Sequence, residues 1–234
     1  MSMIKILDSE VSDNSLLNID EFSVDVTPAV NDPISFRFAV GTKVRVIGDG
    51  EFYTNSARTI SAGSSFTVAN EAQAYYCGST VTKFAVSGRY SILSFKILNG
   101  EAQNYVVNYN FEFDTKLYYL RTVYASRLDI KALSNKSVLG IVSLGGTGVT
   151  GEIANMVNSY NTQELTLYRT AVSGTMSDIG GRFTKLIALS VVGSPITGTV
   201  ADFKAAARAA GRTTGTCTVT DTSNTTTVVD FSTP

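Results

Sequence analysis

Three stretches of this chain can be laid over one another, and that periodicity constrains the fold more than any other feature. "VSLGGTGVTGEI", "LTLYRTAVSGTM" and "LSVVGSPITGTV" superpose on Gly151, Gly174 and Gly198, at spacings of 23 and 24 residues. In this register an apolar pair falls at Val142 and Leu144, at Leu165 and Leu167, and at Leu189 and Val191. A hydroxyl residue follows at Thr147, Thr170 and Ser194, and a branched apolar residue at Val149, Val172 and Ile196. Beyond the glycine come apolar columns at Ile153, Met176 and Val200 and at Met156, Ile179 and Phe203. A unit this short cannot bury its own apolar face, so each copy must stack on the next and both ends of the stack need covers.

The columns resemble the leucine-rich repeat pattern L-x-L-x-x-(T/N)-x-L-x-G-x-(I/L), in its variant with a Gly-x-Ile return strand, and the period lies in the range of about 20–29 residues of such repeats. Thr or Ser stands where that pattern usually has Asn. This leaves a hydroxyl able to bond backbone groups at the bend, but no bidentate amide ladder. "ADFKAAARAAGRTTGTCTV" is read as the C-terminal cap, an Ala-rich helix ending near Gly211 followed by a strand at Cys217–Val219. The repeat also disposes of a nucleotide motif. Gly146, Gly148 and Gly151 spell G-x-G-x-x-G after an apolar run, as a dinucleotide loop would. Only the third glycine recurs; the first two positions become Arg169 and Ala171, then Gly193 and Pro195.

Upstream the period changes to two. From Ile34 to about Ala125, runs such as "SFRFAV", "TKVRVIG", "AYYCG", "TKFAV", "RYSILSFKI", "YVVNYNFEF" and "KLYYLRTVYA" alternate apolar and polar residues, with turns at Asp49-Gly50 and Asn99-Gly100. Short strands at this spacing predict an antiparallel sandwich, because each buries one face and needs a second sheet over it. Of the 23 Phe and Tyr residues, 18 fall before residue 133, which gives this half an aromatic core. The Tyr pairs of "AYYCG" and "LYYL" are read as core-facing in one member each, with exposed sugar-stacking platforms as the alternative. Residues 1–32 carry seven acidic residues against Lys5 alone, with one strand in "EFSVDV". They read as a solvated lead-in or as an arm docking on a neighbouring subunit. The expected class is mainly β: an acidic arm over 1–32, a β-sandwich over 33–132, and a leucine-rich-repeat-like solenoid with a C-terminal helix and strand cap over 133–234.

Composition narrows the chemistry. The chain has no histidine, which removes Ser-His-Asp and Cys-His catalysis and the His-ligated zinc sites. Lys plus Arg is 19 against 20 acidic residues, so there is no basic field for nucleic acid. Charged residues make up only 17%, which suits β-structure outside a cell or in a particle. "MSMIKILDSEVSDNS" lacks the uninterrupted apolar run of a secretory signal, and no stretch approaches a membrane span. Cys77 and Cys217 have no metal or redox spacing and read as buried thiols, with a bridge between domains as the alternative. Glu112 and Asp114 are the only close acidic pair in a strong strand; solvated positions are the expectation there, a carboxylate enzyme the alternative. No catalytic residue, cofactor or metal is expected.

On the strands of the repeat the outward positions are Ile141, Ser143 and Gly145, then Glu164, Thr166 and Tyr168, then Ala188, Ser190 and Val192. With Arg169, the residues Ser143, Glu164, Thr166, Tyr168 and Ser190 form the candidate interaction face. It is small, flat and largely hydroxylic, better suited to a protein surface than to a small ligand.

The N-terminus without a signal, the strand region containing "GDGEFYTNSARTISAG" and the short "T-x-V-(S/T)-G-x-(I/M/V)" repeat resemble virion proteins of phages infecting Bacteroides, crAss-like phages among them. In that group an immunoglobulin- or PKD-like module precedes degenerate leucine-rich repeats. The resemblance implies a non-enzymatic structural protein located in the virion, a tail, fibre-attachment or capsid-surface component. Its implied partners are other virion proteins and copies of itself, with a host-surface receptor as a further one and neither nucleic acid nor membrane. The alternative class is a carbohydrate- or receptor-binding adhesion module.

Overall fold

The structure is a computed structural model that describes residues 21–26, 34–87, 92–97, 107–108, 118–122, 128–157, 159 and 161–233. In chain order its first strands are β1 (Glu21–Val26), β2 (Ile34–Phe38), β3 (Lys43–Val46), β4 (Phe52–Tyr53), β5 (Ser61–Gly63), β6 (Ser65–Thr67), β7 (Tyr75–Cys77), β8 (Lys83–Ser87), β9 (Ile92–Ile97) and β10 (Val107–Asn108). There follow β11 (Tyr119–Thr122), β12 (Leu128–Asp129), β13 (Ile141–Gly145), β14 (Val149–Thr150), β15 (Glu164–Tyr168), β16 (Gly174–Thr175), β17 (Ala188–Ser190), β18 (Ile196–Thr197), β19 (Thr216–Thr220) and β20 (Thr226–Asp230). The α-helices α1 (Met176–Arg182) and α2 (Val200–Ala209) lie between them. The fold is thus mainly β.

Two large sheets organise it. A five-stranded antiparallel sheet runs β10-β1-β8-β3-β6, and an eleven-stranded sheet runs β20-β19-β17-β15-β13-β11-β9-β2-β7-β4-β5. Period-two patterning builds the first: Val44 and Val46 of β3 are buried while Lys43 is exposed. Its apolar face, with Val24, Val44, Phe84 and Val86, meets Phe36, Phe38 and Phe52 from the larger sheet. The Phe84 ring lies 5.0 Å from Phe36 and 5.1 Å from Phe52, both edge-on, a favoured arrangement for aromatic quadrupoles. Tyr75 is buried and stacks on Phe66 at 4.5 Å, while its neighbour Tyr76 is half-buried. One member of that pair therefore does face inward.

From β9 onward the large sheet becomes parallel, through β11, β13, β15, β17 and β19, before β20 closes it antiparallel. Val142, Leu165 and Leu189 are direct partners in this ladder, as are Ser143, Thr166 and Ser190. The columns read from the sequence are therefore rungs of the sheet. Short parallel ladders β12-β14 and β16-β18 run behind it. Ile153, Met176 and Ile179 fill the space between, and all are buried.

The recurring glycine has a steric reason. Gly151, Gly174 and Gly198 have φ of +106°, +139° and +90°, in the region that favours glycine. A Cβ on Gly174 would also run into Cγ2 of Ile153 in the unit before it, and one on Gly151 would lie 2.5 Å from Oδ1 of Asp129. The positions after the glycine decide what the back of each unit becomes. In the last two units Thr175 and Thr199 begin capping boxes: their hydroxyls accept from the Asp178 and Asp202 amides, and those carboxylates accept from the Thr amides at 3.1 and 2.7 Å. Helices α1 and α2 follow. In the first unit Glu152 and Asn155 occupy these places, no side chain caps, and only a 3-10 turn forms at Ile153–Asn155.

Several expectations change. "KLYYLRTVYA", assigned above to the antiparallel region, supplies β11, which is parallel to both neighbours and carries Leu120 opposite Val142. Neither the large sheet nor the apolar core breaks at residue 133. "EFSVDV" does form a strand, but β1 pairs with β8 and β10 of its own chain, so this part of the arm does not dock on a neighbour. The rest of the arm lies outside the described residues, as do Asn99-Gly100, Glu112 and Asp114. The segment after Met176, expected to be a loose return, is helical. The C-terminal helix ends as expected, at Ala209, and its strand is followed by a further one, β20.

The far end is sealed by arginines. Arg212 donates to the carbonyls of Leu186 at 2.6 Å and Thr216 at 2.9 Å, with its guanidinium 3.9 Å from the centre of the Phe231 ring. Arg208 donates to the carbonyls of Phe231 and Thr233. Phe231 is thereby held against Phe203, 6.0 Å away, and both are fully buried.

Candidate functional site: the outer face of the parallel ladder

Strand alternation sends Leu120, Val142, Leu165, Leu189 and Val219 into the core, all 0–2% exposed. Their neighbours must face the other way. The ladder register sets Arg121, Ser143, Thr166, Ser190, Thr220 and Thr226 side by side in one row. At about 4.8 Å per strand the row is about 24 Å long. Thr220 and Thr226 hydroxyls meet at 3.0 Å across the antiparallel pair. A second row, two residues toward the strand starts, holds Tyr119, Ile141, Glu164, Ala188, Thr218 and Val228.

Each expected face residue can be placed. Ser143, Thr166 and Ser190 are neighbours in the first row and half-buried; Glu164 is exposed in the second. Tyr168 pairs with Gly145 at the end of β15, and Arg169 follows it at φ +52° with its guanidinium 5.0 Å from the Tyr168 ring centre. That cation–π pair makes Tyr168 and Arg169 one rigid feature at the rim. Tyr119 and Arg121 share the face but come from β11, which was assigned elsewhere; Thr218 and Thr220 come from the cap strand. A search for the repeat 22 residues upstream of Val142 would have found Leu120 and its flanking Tyr119 and Arg121.

The hydroxyl column behind this face is structural. Thr170 and Ser194 are buried, 2.8 Å apart, and Ser194 donates onward to the Leu167 carbonyl at 2.9 Å while accepting from the Thr170 amide at 3.1 Å. Two hydroxyls thus tie adjacent units where an Asn ladder was not available. Thr147, the third member, is exposed and outside this chain of bonds.

Electrostatic perturbation lies at the cap rather than on the face. Hydrogen bonds from the Thr199 amide and hydroxyl hold Asp202 below the usual carboxylate range. Ser223 and Thr225 do the same to Asp221, and Ser232 to Asp230. Cys217 and Cys77 are buried, unpaired thiols. Burial pushes Cys217 up to about 11 and Cys77 higher still. These are inert thiols, not nucleophiles. Among the described residues no group of three or more His, Cys, Asp or Glu side chains could hold a metal, and no helix is long and apolar enough to cross a membrane.

What the arrangement offers is a flat, stiff, hydroxyl-rich surface edged by Glu164, Arg121 and the Tyr168–Arg169 pair. Comparison with known proteins adds nothing to this geometry: no family model matches the chain, and no curated protein or solved structure does.

Proposed function

We propose that this chain is a non-enzymatic structural protein of a bacteriophage virion, a tail, fibre-attachment or capsid-surface component that works by assembling with other virion proteins and with copies of itself. We read its architecture as an immunoglobulin- or PKD-like β-sandwich whose larger sheet runs on into a short leucine-rich-repeat-like solenoid with a helix and strand cap. The 22–24-residue spacing of parallel rungs, the second parallel ladders behind them and the arginine-sealed end support that reading.

One observation carries the functional part: the large sheet presents a flat row of short hydroxyls from Arg121 to Thr226, on strands whose other face is fully buried. A surface of this shape gains little from gripping a small molecule and much from lying against another flat protein surface. The adhesion reading has its own support in Tyr76, Tyr119 and Tyr168, each half-buried with a ring able to stack on a sugar. Quantitative mass spectrometry of gradient-purified particles tests the proposal. A fixed copy number per particle is the expected result. Recovery only in the particle-free lysate fraction would refute it.

A further inference from the structure

The strand that closes the large sheet leaves one edge open, and the hydrogen-bond parity of that edge can be worked out. The Thr218 amide donates to the Ile187 carbonyl, and the Val191 amide donates to the Thr220 carbonyl, so the even-numbered residues of β19 point their backbone groups toward β17. The odd-numbered ones point toward β20. The bonds at both ends of the hairpin agree, from the Phe231 amide to the Gly215 carbonyl and from the Asp221 amide to the Thr225 carbonyl. In register with β19, Val229 and Thr227 bond inward, which leaves Thr226, Val228 and Asp230 with their amides and carbonyls directed outward. Only the Asp230 carbonyl has a further contact, from the Thr233 hydroxyl at 3.2 Å.

The usual protections of an edge strand are missing here. "TTVVD" has no proline, no lysine and no bulge in its pairing, and its residues favour strands. Val228, at its centre, is 65% exposed, the highest value among the exposed large apolar side chains of the described residues. The pattern is also self-complementary. An antiparallel copy centred on Val228 sets Val228 against Val228 and Thr226 against Asp230, so the two carboxylates never face each other and every outward residue meets an outward residue.

We infer that β20 is a self-association edge, on which β20 of a second copy of this chain adds antiparallel about a twofold axis at Val228. Three residue pairs then exchange backbone bonds, the two sheets become one, and the exposed Val228 side chains cover each other as a cross-strand pair. The inference rests on the assembly reading above and deepens it, naming one edge and one occupant.

Analytical ultracentrifugation of the full chain, together with cysteine cross-linking, tests it. Wild type is expected to sediment as a dimer. Val228→Pro should sediment as a monomer with an unchanged melting temperature, because the lost amide points to solvent and an edge strand accepts proline there. Val228→Lys, which puts a charge on the edge without touching the backbone, should do the same if the proline variant folds poorly. Val228→Cys should form a disulfide dimer with oxidised glutathione, since Cα atoms of such a pair lie about 5.5 Å apart, within bridging distance. Thr213→Cys, exposed and away from the edge, should not, and the buried native thiols should stay silent. A monomeric wild type overturns the inference, as does a dimer that survives both Val228→Pro and Val228→Lys. Neither outcome touches the particle copy number, which judges the assembly reading separately.

Discussion

Leu167→Ala is expected to destabilise the protein by about 2–5 kcal/mol, and Tyr168→Ala by no more than about 1 kcal/mol. The residues are adjacent, so the contrast isolates the direction each side chain takes. Leu167 is fully buried, in register with Leu144, and its carbonyl anchors the buried Ser194 hydroxyl. Truncation leaves a cavity between rungs that the neighbouring parallel strands are too constrained to fill. Tyr168 is half-buried on the opposite face and loses mainly its contact with Arg169. Urea denaturation of both variants checks this; equal losses would contradict the inward and outward assignment of β15.

The other large effect sits between the two helices. Gly180 and Gly181 are consecutive in α1, and in an isolated helix either would gain about 1 kcal/mol on replacement by alanine. The surroundings separate them. A Cβ on Gly180 would fall inside contact distance of the Phe203 carbonyl oxygen, 3.0 Å from its carbonyl carbon and 3.2 Å from the Ala207 amide nitrogen. Those are backbone atoms of α2, so the whole helix must shift. Gly180→Ala is expected to cost about 3 kcal/mol, near the upper end for overpacking. Gly181 has nothing within 4 Å of such a Cβ and is exposed, so Gly181→Ala should stabilise by about 0.5–1 kcal/mol. Thermal melts of the two variants should therefore move in opposite directions. Movement in the same direction would mean that α1 and α2 are not packed as described.

These two cases also mark how far the sequence could be read. The rungs were legible because three units repeat the same apolar pair with the same glycine, and a parallel ladder with one residue per rung follows from that alone. The unit before them was not. In it Leu120 stands 22 residues ahead of Val142, and the position of the recurring glycine is held by Asp129, whose carboxylate caps a 3-10 turn by accepting from the Lys131 amide. Helix α1 was hidden by its own glycines, which lower helix propensity, although "GTMSD" and "GTVAD" carry the same Thr and Asp spacing at the two helix starts. Strand β20 follows what looked like a finished cap, and nothing in "TTTVVD" says that one more strand will fold back on the last. The candidate face was half legible: Ser143, Thr166 and Ser190 lie together as the repeat requires, whereas Tyr119 and Arg121 belong to a strand whose partners only the fold reveals.

The cis pairing of β1 also restricts how the acidic arm can be tested. A deletion reaching residue 30 would remove a strand flanked by β8 and β10, and would disturb the fold along with any contact the arm makes.

The central claim, that the outer face of the ladder is an assembly surface, is tested most directly by Thr166→Arg measured in particles. Thr166 is half-buried in the middle of the hydroxyl row, flanked by Ser143 and Ser190, where a long charged side chain can project without entering the core. The account predicts that this variant melts with the wild type, keeps its own self-association through β20, and is depleted from gradient-purified particles when wild type and variant are co-expressed. Incorporation of the variant at the wild-type copy number would contradict it.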